Sequence, residues 1–311
     1  ALVFLFLLTL GWDVAVVEAV NSGTLSPIQA VQLQTILEGH VKKVTVCRVY
    51  GNEDGFTNVP LCRSGGGILF AGKFLLTVAH LRTPRQELAR GMSGVFTLMF
   101  YGEKLMKEAW ILQFPAKLFG SDHDETVAIE VREVFEDRDA DILLLQIEKF
   151  DREVPIEAAS LPVSLGDSDS LSLTTPVLLG GNPFGDVGPE VRLGIVSALT
   201  AIDGSANPNR FFRVSMPICE GDSGHWVSVM TENGLEVVGL AHAIVVKNVS
   251  NNPSGCSSMG VVLRINALLS IIQEKTKTAD LPNGIDIRNE HKTFLREQHM
   301  KLYPISLELF D

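Results

Sequence analysis

The sequence predicts an all-β protein flanked by helices, and two observations carry this prediction. Between residues 44 and 260, about a dozen short apolar or alternating runs follow one another, separated by Gly, Asn, Asp and Pro. Strands at such spacing are typical of an antiparallel barrel or sandwich. Apolar residues recur at helical spacing towards the ends of the chain, in residues 26–44 and 261–277. We therefore expect a helix on each side of the β region.

The N-terminal helix is predicted to begin at Ser26, which can cap it, and Pro27 suits its first turn. An apolar stripe follows, formed by Ile28, Val31, Leu33, Ile36 and Leu37. The strand candidates come next, in the order VTVCRVY, GGILFAG, FLLTVAH, GVFTLMF, AWILQFP, TVAIEVREVFE, ADILLLQI, TPVLLGG, VRLGIVSAL, FFRVSM, HWVSVM and EVVGLAHAIV. The run VVLRINALLSIIQEKTK then returns to helical spacing and is expected to close the core.

The two termini differ from the β region. Residues 1–10 are mostly apolar and are followed by Val17-Glu18-Ala19, a small-x-small sequence of the kind a signal peptidase cuts. The apolar run is too short to span a bilayer. We interpret residues 1–19 as a signal-peptide remnant, with a buried helix or strand, or an uncleaved anchor if further apolar residues precede Ala1, as the alternatives. Residues 276–311 form a polar tail that can be helical but is too short for an independent domain. One domain over residues 26–275 is therefore predicted.

Composition excludes several classes of partner. The 311 residues are 46% hydrophobic and carry a net charge of −11, which describes a globular protein without the basic face that nucleic-acid binding needs. Four cysteines, Cys47, Cys62, Cys219 and Cys256, suit two disulfides in an oxidising compartment, with buried thiols as the alternative. No Cys or His cluster has the spacing of a zinc site, so we expect no metal and no cofactor.

Three stretches supply the parts of a nucleophilic site in a fixed order. LLTVAHL places His80 at the end of an apolar strand, DRDADILLLQI places Asp141 just before a buried one, and EGDSG places Ser223 on a glycine-flanked turn. Serine becomes a useful nucleophile only beside a base, and the base needs a partner that fixes its tautomer. Asp137 and Asp139 compete for the acidic role, but the apolar run ILLL directly follows Asp141.

The same turn can stabilise developing negative charge. The backbone N–H groups of Gly221 and Ser223 are the candidate oxyanion hole, in which each donor typically contributes about 3–4 kcal/mol. The stretches together therefore predict acyl transfer with a His, Asp and Ser triad.

Longer motifs carry a resemblance to a known family. GGGILFAGKFLLTVAHL resembles the histidine-bearing segment of trypsin-like proteases, while LGDSDSLSLTTPVLLGGNPFG, followed by VRLGIVSAL, resembles the high-temperature-requirement (HtrA/Deg) branch. GVVLRINALLSII is similar to the closing strand and helix of that branch. The resemblance covers roughly residues 28–275. It implies a chymotrypsin-like fold of two six-stranded antiparallel β-barrels and a cofactor-free endopeptidase that cleaves exposed or unfolded polypeptide segments.

The resemblance also implies further roles. It places Pro217, Ile218 and Cys219 in the wall of an apolar specificity pocket for medium aliphatic side chains, and His242 and Ala243 on the substrate-binding strand. A Cys219–Cys256 bridge would fix the pocket, and a Cys47–Cys62 bridge would tie a hairpin. Members often form trimers through N-terminal segments, so residues 26–44 are a candidate contact. With the signal remnant, an extracytoplasmic location is expected, either periplasmic or secreted.

Departures from the family pattern leave two alternatives open. No peptide-binding PDZ segment is recognisable, so regulation through one is not carried over. His225 and Trp226 stand where Gly and Pro are usual, and Asp222 replaces Asn. In digestive relatives such an aspartate pairs with an amino terminus freed by cleavage, but no matching start is present here, and the partner of Asp222 stays unnamed. These departures motivate a catalytically silent protein-binding or chaperone-like alternative, and His242 motivates a processing protease specific for acidic sites.

Overall fold

The structure is a computed structural model that describes residues 43–51, 59–82, 104–114, 119, 123–155, 164–181, 190–200, 207–231, 234–244, 256–278, 281 and 283–302. Its strands are β1 (Lys43–Gly51), β2 (Val59–Gly66), β3 (Ile68–Phe70), β4 (Phe74–Thr77), β5 (Lys104–Phe114), β6 (Glu125–Asp137), β7 (Ile142–Phe150), β8 (Ser164–Leu165), β9 (Pro176–Gly181), β10 (Glu190–Ala198), β11 (Phe211–Ser215), β12 (Ile218–Cys219), β13 (Trp226–Thr231), β14 (Gly234–Ile244), β15 (Cys256–Ser257) and β16 (Gly260–Arg264). Helices α1 (Ile265–Lys275) and α2 (Ile287–Leu302) follow.

The first barrel is a curled antiparallel sheet in the order β2-β1-β5-β6-β7-β4-β3. Its two edge strands, β2 and β3, are consecutive in the chain with only Gly67 between them, so the sheet turns back towards itself there. Side chains alternate across β1, where Val44 and Val46 are buried and Lys43, Thr45 and Cys47 are half-buried. This alternation is the period of two that the sequence displayed.

The second barrel closes completely. Its sheet runs β13-β9-β10-β11-β16-β14, and an additional β13–β14 pairing joins the two ends, with the short β8 parallel to β14 outside the ring. The predicted all-β, two-barrel chymotrypsin-like fold is confirmed, and a six-stranded closed ring is found here. In the first barrel the expected six strands appear as seven, because the strand through Gly67 is divided into β2 and β3.

Three apolar clusters hold these layers together. One fills the first barrel around Leu75, Leu112 and Leu143, and another fills the second barrel around Phe212 and Val262. The third joins the barrels, since it contains buried residues of β3, β4 and β7 together with residues of β11, β14, β16, α1 and α2. The seam between the barrels is therefore a core of its own, and it positions any site built at their junction.

The predicted helical ends are partly within the described residues. Residues 26–42 of the expected N-terminal helix lie outside them, but Lys43 and Val44, which the prediction included, belong to β1. At the other end the helical interpretation began too early, because residues 261–264 continue β16 and α1 starts at Ile265. Val261, Val262 and Leu263 are all fully buried between neighbouring strands, a burial pattern that does not distinguish strand from helix in sequence.

Helix α2 contacts both barrels. Its Arg288 donates to the carbonyl oxygens of Leu165 (2.5 Å) and Gly166 (3.0 Å) beside the second barrel. On the first barrel, Glu290 pairs with Lys73, with 2.5 Å between Oε2 and Nζ. The helix thus bridges the two barrels at the end of the chain that the structure describes.

Both expected disulfides are present. Cys47 pairs with Cys62 across the β1–β2 ladder, and Cys219 pairs with Cys256 across the β12–β15 ladder. The alternative of four buried thiols is therefore wrong. Within the described residues, no helix is both long enough and apolar enough to cross a membrane.

The docking of α2 gives a stability prediction. Arg288→Met leaves the Leu165 and Gly166 carbonyls without their donor, and we expect the free energy of unfolding to fall by about 1–3 kcal/mol in urea denaturation. Arg296→Met, on the exposed face of the same helix, should change it by about 0.5 kcal/mol or less. Equal losses in the two variants would contradict the bridging contact.

Candidate active site

Loops from the two barrels bring His80, Asp141 and Ser223 to one cavity. His80 lies in a 3₁₀ turn, Ala79–Arg82, after β4. Asp141 lies between β6 and β7, and Ser223 lies between β12 and β13. All of them line a cavity of about 400 Å³, together with Ile218, Cys219, Glu220, Ala241 and His242. The predicted base, acid and nucleophile therefore share one space.

The carboxylate of Asp141 fixes the orientation of His80. The backbone N–H of His80 donates to Oδ1 of Asp141 at 2.7 Å, and the ring Nδ1 of His80 lies 2.6 Å from Oδ2. Asp141 adopts a left-handed backbone conformation with φ 54°, which Asp tolerates better than most residues. The contact holds the imidazole by Nδ1, and Nε2 lies on the far side of the ring.

His242 is a second imidazole at the same carboxylate. Its Nδ1 lies 3.0 Å from Oδ2 of Asp141, and its side chain is 17% exposed. The ring also packs against Phe211, with 5.0 Å between ring centroids. The residue that the sequence placed in the substrate pocket thus faces the candidate triad as well as the cavity.

These contacts determine the charge of Asp141. Burial by itself would raise the pKa of this carboxyl, but the hydrogen bonds of His242 and His80 outweigh burial and lower its pKa to about 2. Asp141 is therefore ionised throughout the neutral range. A buried, ionised carboxylate holds a neighbouring imidazole in one orientation, as a general base requires.

The nucleophile turn, residues 219–224, is fixed by backbone hydrogen bonds. The N–H of Asp222 donates to the carbonyl of Cys219 at 3.1 Å, and the carbonyl of Ser223 accepts from the N–H of Gly66 in the first barrel at 2.7 Å. Gly221 and Gly224 have φ of 94° and 85°, a conformation that favours glycine. Among the backbone hydrogen bonds of the described residues, none uses the N–H of Gly221 or Ser223.

His225 is accommodated at the barrel seam without backbone strain. The residues of positive φ beside it are Gly221 and Gly224, not His225, so a non-glycine residue at this position carries no left-handed strain. Its ring packs directly on Gly66, where even a methyl group would collide with the imidazole. Burial lowers the pKa of His225 to about 4, although Asp222 acts in the opposite direction. His225 is therefore neutral at pH 7.

Trp226 also belongs to the seam. It is 1% exposed and lies in the cluster that joins the two barrels. The two departures after Gly224 therefore serve packing between the barrels, and they leave the side chains of the candidate triad in place.

The partner of Asp222 is Arg192 of β10, a residue that the sequence did not single out. Both terminal nitrogens of Arg192 donate to the Asp222 carboxylate, and the Nη1–Oδ2 distance is 2.6 Å. Asp222 is fully buried. The sequence offered two signals, a charged residue between Val191 and Leu193 in an apolar strand and an aspartate that needed a cation. Because 30 residues separate Arg192 from Asp222, the sequence alone did not pair them.

Of the predicted pocket residues, Ile218, Cys219 and His242 line the cavity. Pro217 is exposed, and its carbonyl accepts from Nη1 of Arg192 at 2.9 Å. Ala243 pairs with Val261 in the β14–β16 ladder. Glu220 at the cavity was not among the predicted residues.

No metal site is found in the described ranges, where no group of three or more His, Cys, Asp or Glu side chains could hold an ion. The chemistry that these residues can perform is acid–base and nucleophilic.

Comparison with solved structures supports the fold described above. No family model and no curated protein matches the chain. A serine-to-alanine variant of the HtrA-type protease AlgW, solved with a decapeptide, matches with a TM-score of 0.50 and 19% identity over 78% of this chain and 65% of that one. AlgW itself with a decapeptide matches with 0.48 and 20% over 76% and 64%, and Deg5 with 0.48 and 18% over 79% and 94%. This chain thus spans less than two thirds of AlgW, and at such identities the likeness to the AlgW variant shows the fold alone.

The buried His225 predicts a pH dependence of stability. Its pKa is about 4 in the folded protein and about 6.5 in an unfolded chain. Between these values the unfolded chain binds the extra proton, so stability falls as pH drops through 6.5 and levels off below 4. We expect wild type to lose about 2–3 kcal/mol more than His225→Asn between pH 7 and 4.5 in urea denaturation. Equal losses of stability in wild type and His225→Asn would contradict a buried, neutral His225. Asp141, whose pKa in the folded protein is about 2, changes stability only at lower pH.

Proposed function

We propose that this protein is a serine endopeptidase that hydrolyses peptide bonds in exposed or unfolded segments of other proteins. The observation that carries the proposal is the 2.6 Å contact between His80 Nδ1 and Asp141 Oδ2 beside the cavity that Ser223 also lines. A base oriented by a buried carboxylate next to a serine on a tight turn is the arrangement that acyl transfer needs.

The assigned roles follow the established course for such triads. Ser223 Oγ attacks the carbonyl carbon of the substrate, and His80 Nε2 takes its proton as general base. The same proton then passes to the leaving amine, whose departure leaves an acyl-enzyme ester on Ser223. Water, activated by His80, hydrolyses that ester. Asp141 stays ionised throughout and stabilises the imidazolium that forms in each half of the reaction.

The oxyanion is assigned to the N–H groups of Gly221 and Ser223. Neither group is used in the backbone hydrogen bonds of the described residues, so both can donate to a ligand. The disulfide from Cys219 to Cys256 and the bond from Gly66 to Ser223 hold the turn that carries these donors. Preorganised donors stabilise developing charge because they need no reorientation during the reaction.

Two observations support polypeptide substrates for this protein. The AlgW variant whose fold this chain shares was solved with a decapeptide. We propose that this chain also binds peptides. The assigned specificity wall is apolar, formed by Ile218 and the Cys219–Cys256 bridge. Ile218 lies directly against Gly260, where a side chain would collide with it. We therefore assign a pocket of limited depth that takes medium aliphatic side chains.

The environment of His242 favours this assignment over a protease for acidic sites. Its Nδ1 lies 3.0 Å from the negative Asp141, and Glu220, a second carboxylate, also lines the cavity. Two negative groups at the site repel an acidic substrate side chain. The silent, protein-binding alternative loses its motivation, since Asp222 has a partner and His225 is unstrained.

Location and assembly belong to the same proposal. Two disulfides suit a periplasmic or secreted protein, because thiols stay reduced in the cytosol. Trimer formation through residues 26–44 is proposed from the family resemblance, and residues 26–42 lie outside the described ones.

Covalent labelling tests the triad. A fluorophosphonate probe should label wild type, should fail to label Ser223→Ala, and should label His80→Ala at least about 10³-fold more slowly, because the serine loses its base. Thermal unfolding of each variant shows whether the fold is retained. Folded wild-type protein that resists the probe would favour the silent protein-binding alternative.

A peptide-library cleavage profile tests the pocket. Ile218→Ala removes the side chain that packs on Gly260, so the preferred residue before the cleaved bond should shift from medium aliphatic to larger side chains such as Phe. Ile271→Ala, a comparable truncation in α1 and in the core, serves as the control and should keep the wild-type profile. An unchanged preference in Ile218→Ala would remove Ile218 from the pocket wall.

A further inference from the structure

A buried ion pair joins Arg192 of β10 to Asp222 in the nucleophile turn. Asp222 has 0% and Arg192 11% of its side chain exposed. Arg192 reaches from β10 to the nucleophile turn, where both terminal nitrogens donate to the carboxylate. Two parallel bonds of this kind fix the planar guanidinium and the carboxylate relative to each other.

The same two side chains also hold the backbone before Ser223. Oδ2 of Asp222 accepts from the N–H of Cys219 at 2.7 Å, and Nη1 of Arg192 donates to the carbonyl of Pro217 at 2.9 Å. The ion pair therefore ties residues 217, 219 and 222 to one another and to β10. Gly221, one of the assigned oxyanion donors, lies within residues 217–222, the segment that these bonds hold.

The surrounding structure is built around the pair. At Gly181 of β9 an added methyl group would lie 2.7 Å from Nη2 of Arg192 and would collide with Oδ1 of Asp222. Only a residue without a side chain allows the pair to sit against the strand. A buried carboxylate that loses its cation is left uncompensated, and the turn must then rearrange to bring it to water.

We infer that Arg192 is a positioning residue for the oxyanion hole. It supplies from within the barrel the cation that Asp222 needs, so the nucleophile turn forms without an amino group released by proteolysis. The chain is then active as folded, and a blocked amino terminus does not alter the site. The expected effect of Arg192 on kcat rests on the proposed function. Its expected effect on the order of the nucleophile turn does not.

The kinetic test compares Arg192→Ala, Arg192→Lys and the control Arg213→Ala on the adjacent strand β11. We expect kcat on a peptide substrate to fall by about 10²–10³-fold in Arg192→Ala with KM changed only a few-fold, since the oxyanion donors act in the transition state. Arg192→Lys should lie between that variant and wild type because ammonium lacks the planar fork. Arg213→Ala should keep wild-type kcat.

Chemical rescue separates positioning from mere stability. Methylguanidinium in the millimolar range should restore part of the kcat of Arg192→Ala, and it should have no effect on Arg213→Ala or on wild type. Wild type with an acetylated amino terminus should react with the fluorophosphonate at the unmodified rate. A loss of stability in Arg192→Ala with kcat preserved would overturn the inference, as would a requirement for a free amino terminus.

Hydrogen exchange tests the structural consequence independently of activity. Arg192→Ala should lose amide protection in residues 217–224 while β1 to β7 keep theirs, and Arg213→Ala should keep protection in the turn. If wild type resists the fluorophosphonate, the proposed function fails, and this measurement still decides the role of Arg192. Unchanged exchange in the turn of Arg192→Ala would overturn the inference in either case.

Discussion

The site depends on one electrostatic constraint, which is that a fully buried carboxylate needs a cation. Asp222 directly precedes Ser223, so the group that satisfies its charge also helps to hold the backbone of Ser223, the candidate nucleophile. Arg192 meets this need with a bidentate contact from a strand of the second barrel. The neighbouring features adapt to the pair: β9 has a glycine where it passes the ion pair, and the Cys219–Cys256 disulfide anchors the start of the turn. The loop that contains Ser223 is thereby attached to a strand of the second barrel.

A second constraint is the close approach of the two barrels at the same turn. The backbone of Gly66 donates to Ser223, its missing side chain makes room for His225, and its carbonyl accepts from Thr77 at 2.7 Å. Thr77 ends β4, the strand that leads to His80. His80 and Ser223 come from different barrels, and this seam sets their separation. The neutral His225 fills the seam as an apolar group would, which makes the junction sensitive to acid.

The cavity combines negative charge with an apolar wall. Asp141 interacts with two imidazoles and remains ionised, so His80 has a permanent negative neighbour. Glu220 adds a second negative group at the cavity, while the assigned specificity wall is apolar. Under the proposed function, aliphatic contact at the wall and repulsion of acidic side chains would distinguish substrates. His242 lies against the same carboxylate, with its Nδ1 3.0 Å from Oδ2 of Asp141.

The sequence alone determined whatever depends on local pattern and residue order. Alternating apolar runs predicted the strands, the order of His80, Asp141 and Ser223 predicted the site, and the family motifs predicted the two barrels. Local pattern failed where strand and helix are equally apolar, as in residues 261–264, and where Gly67 divides a strand. Only the tertiary structure decided that Arg192 is the partner of Asp222, that His242 faces Asp141, and that His225 fits against Gly66. Each of these contacts joins residues far apart in the chain, and their geometry comes from barrel closure and barrel packing rather than from any periodicity along the sequence.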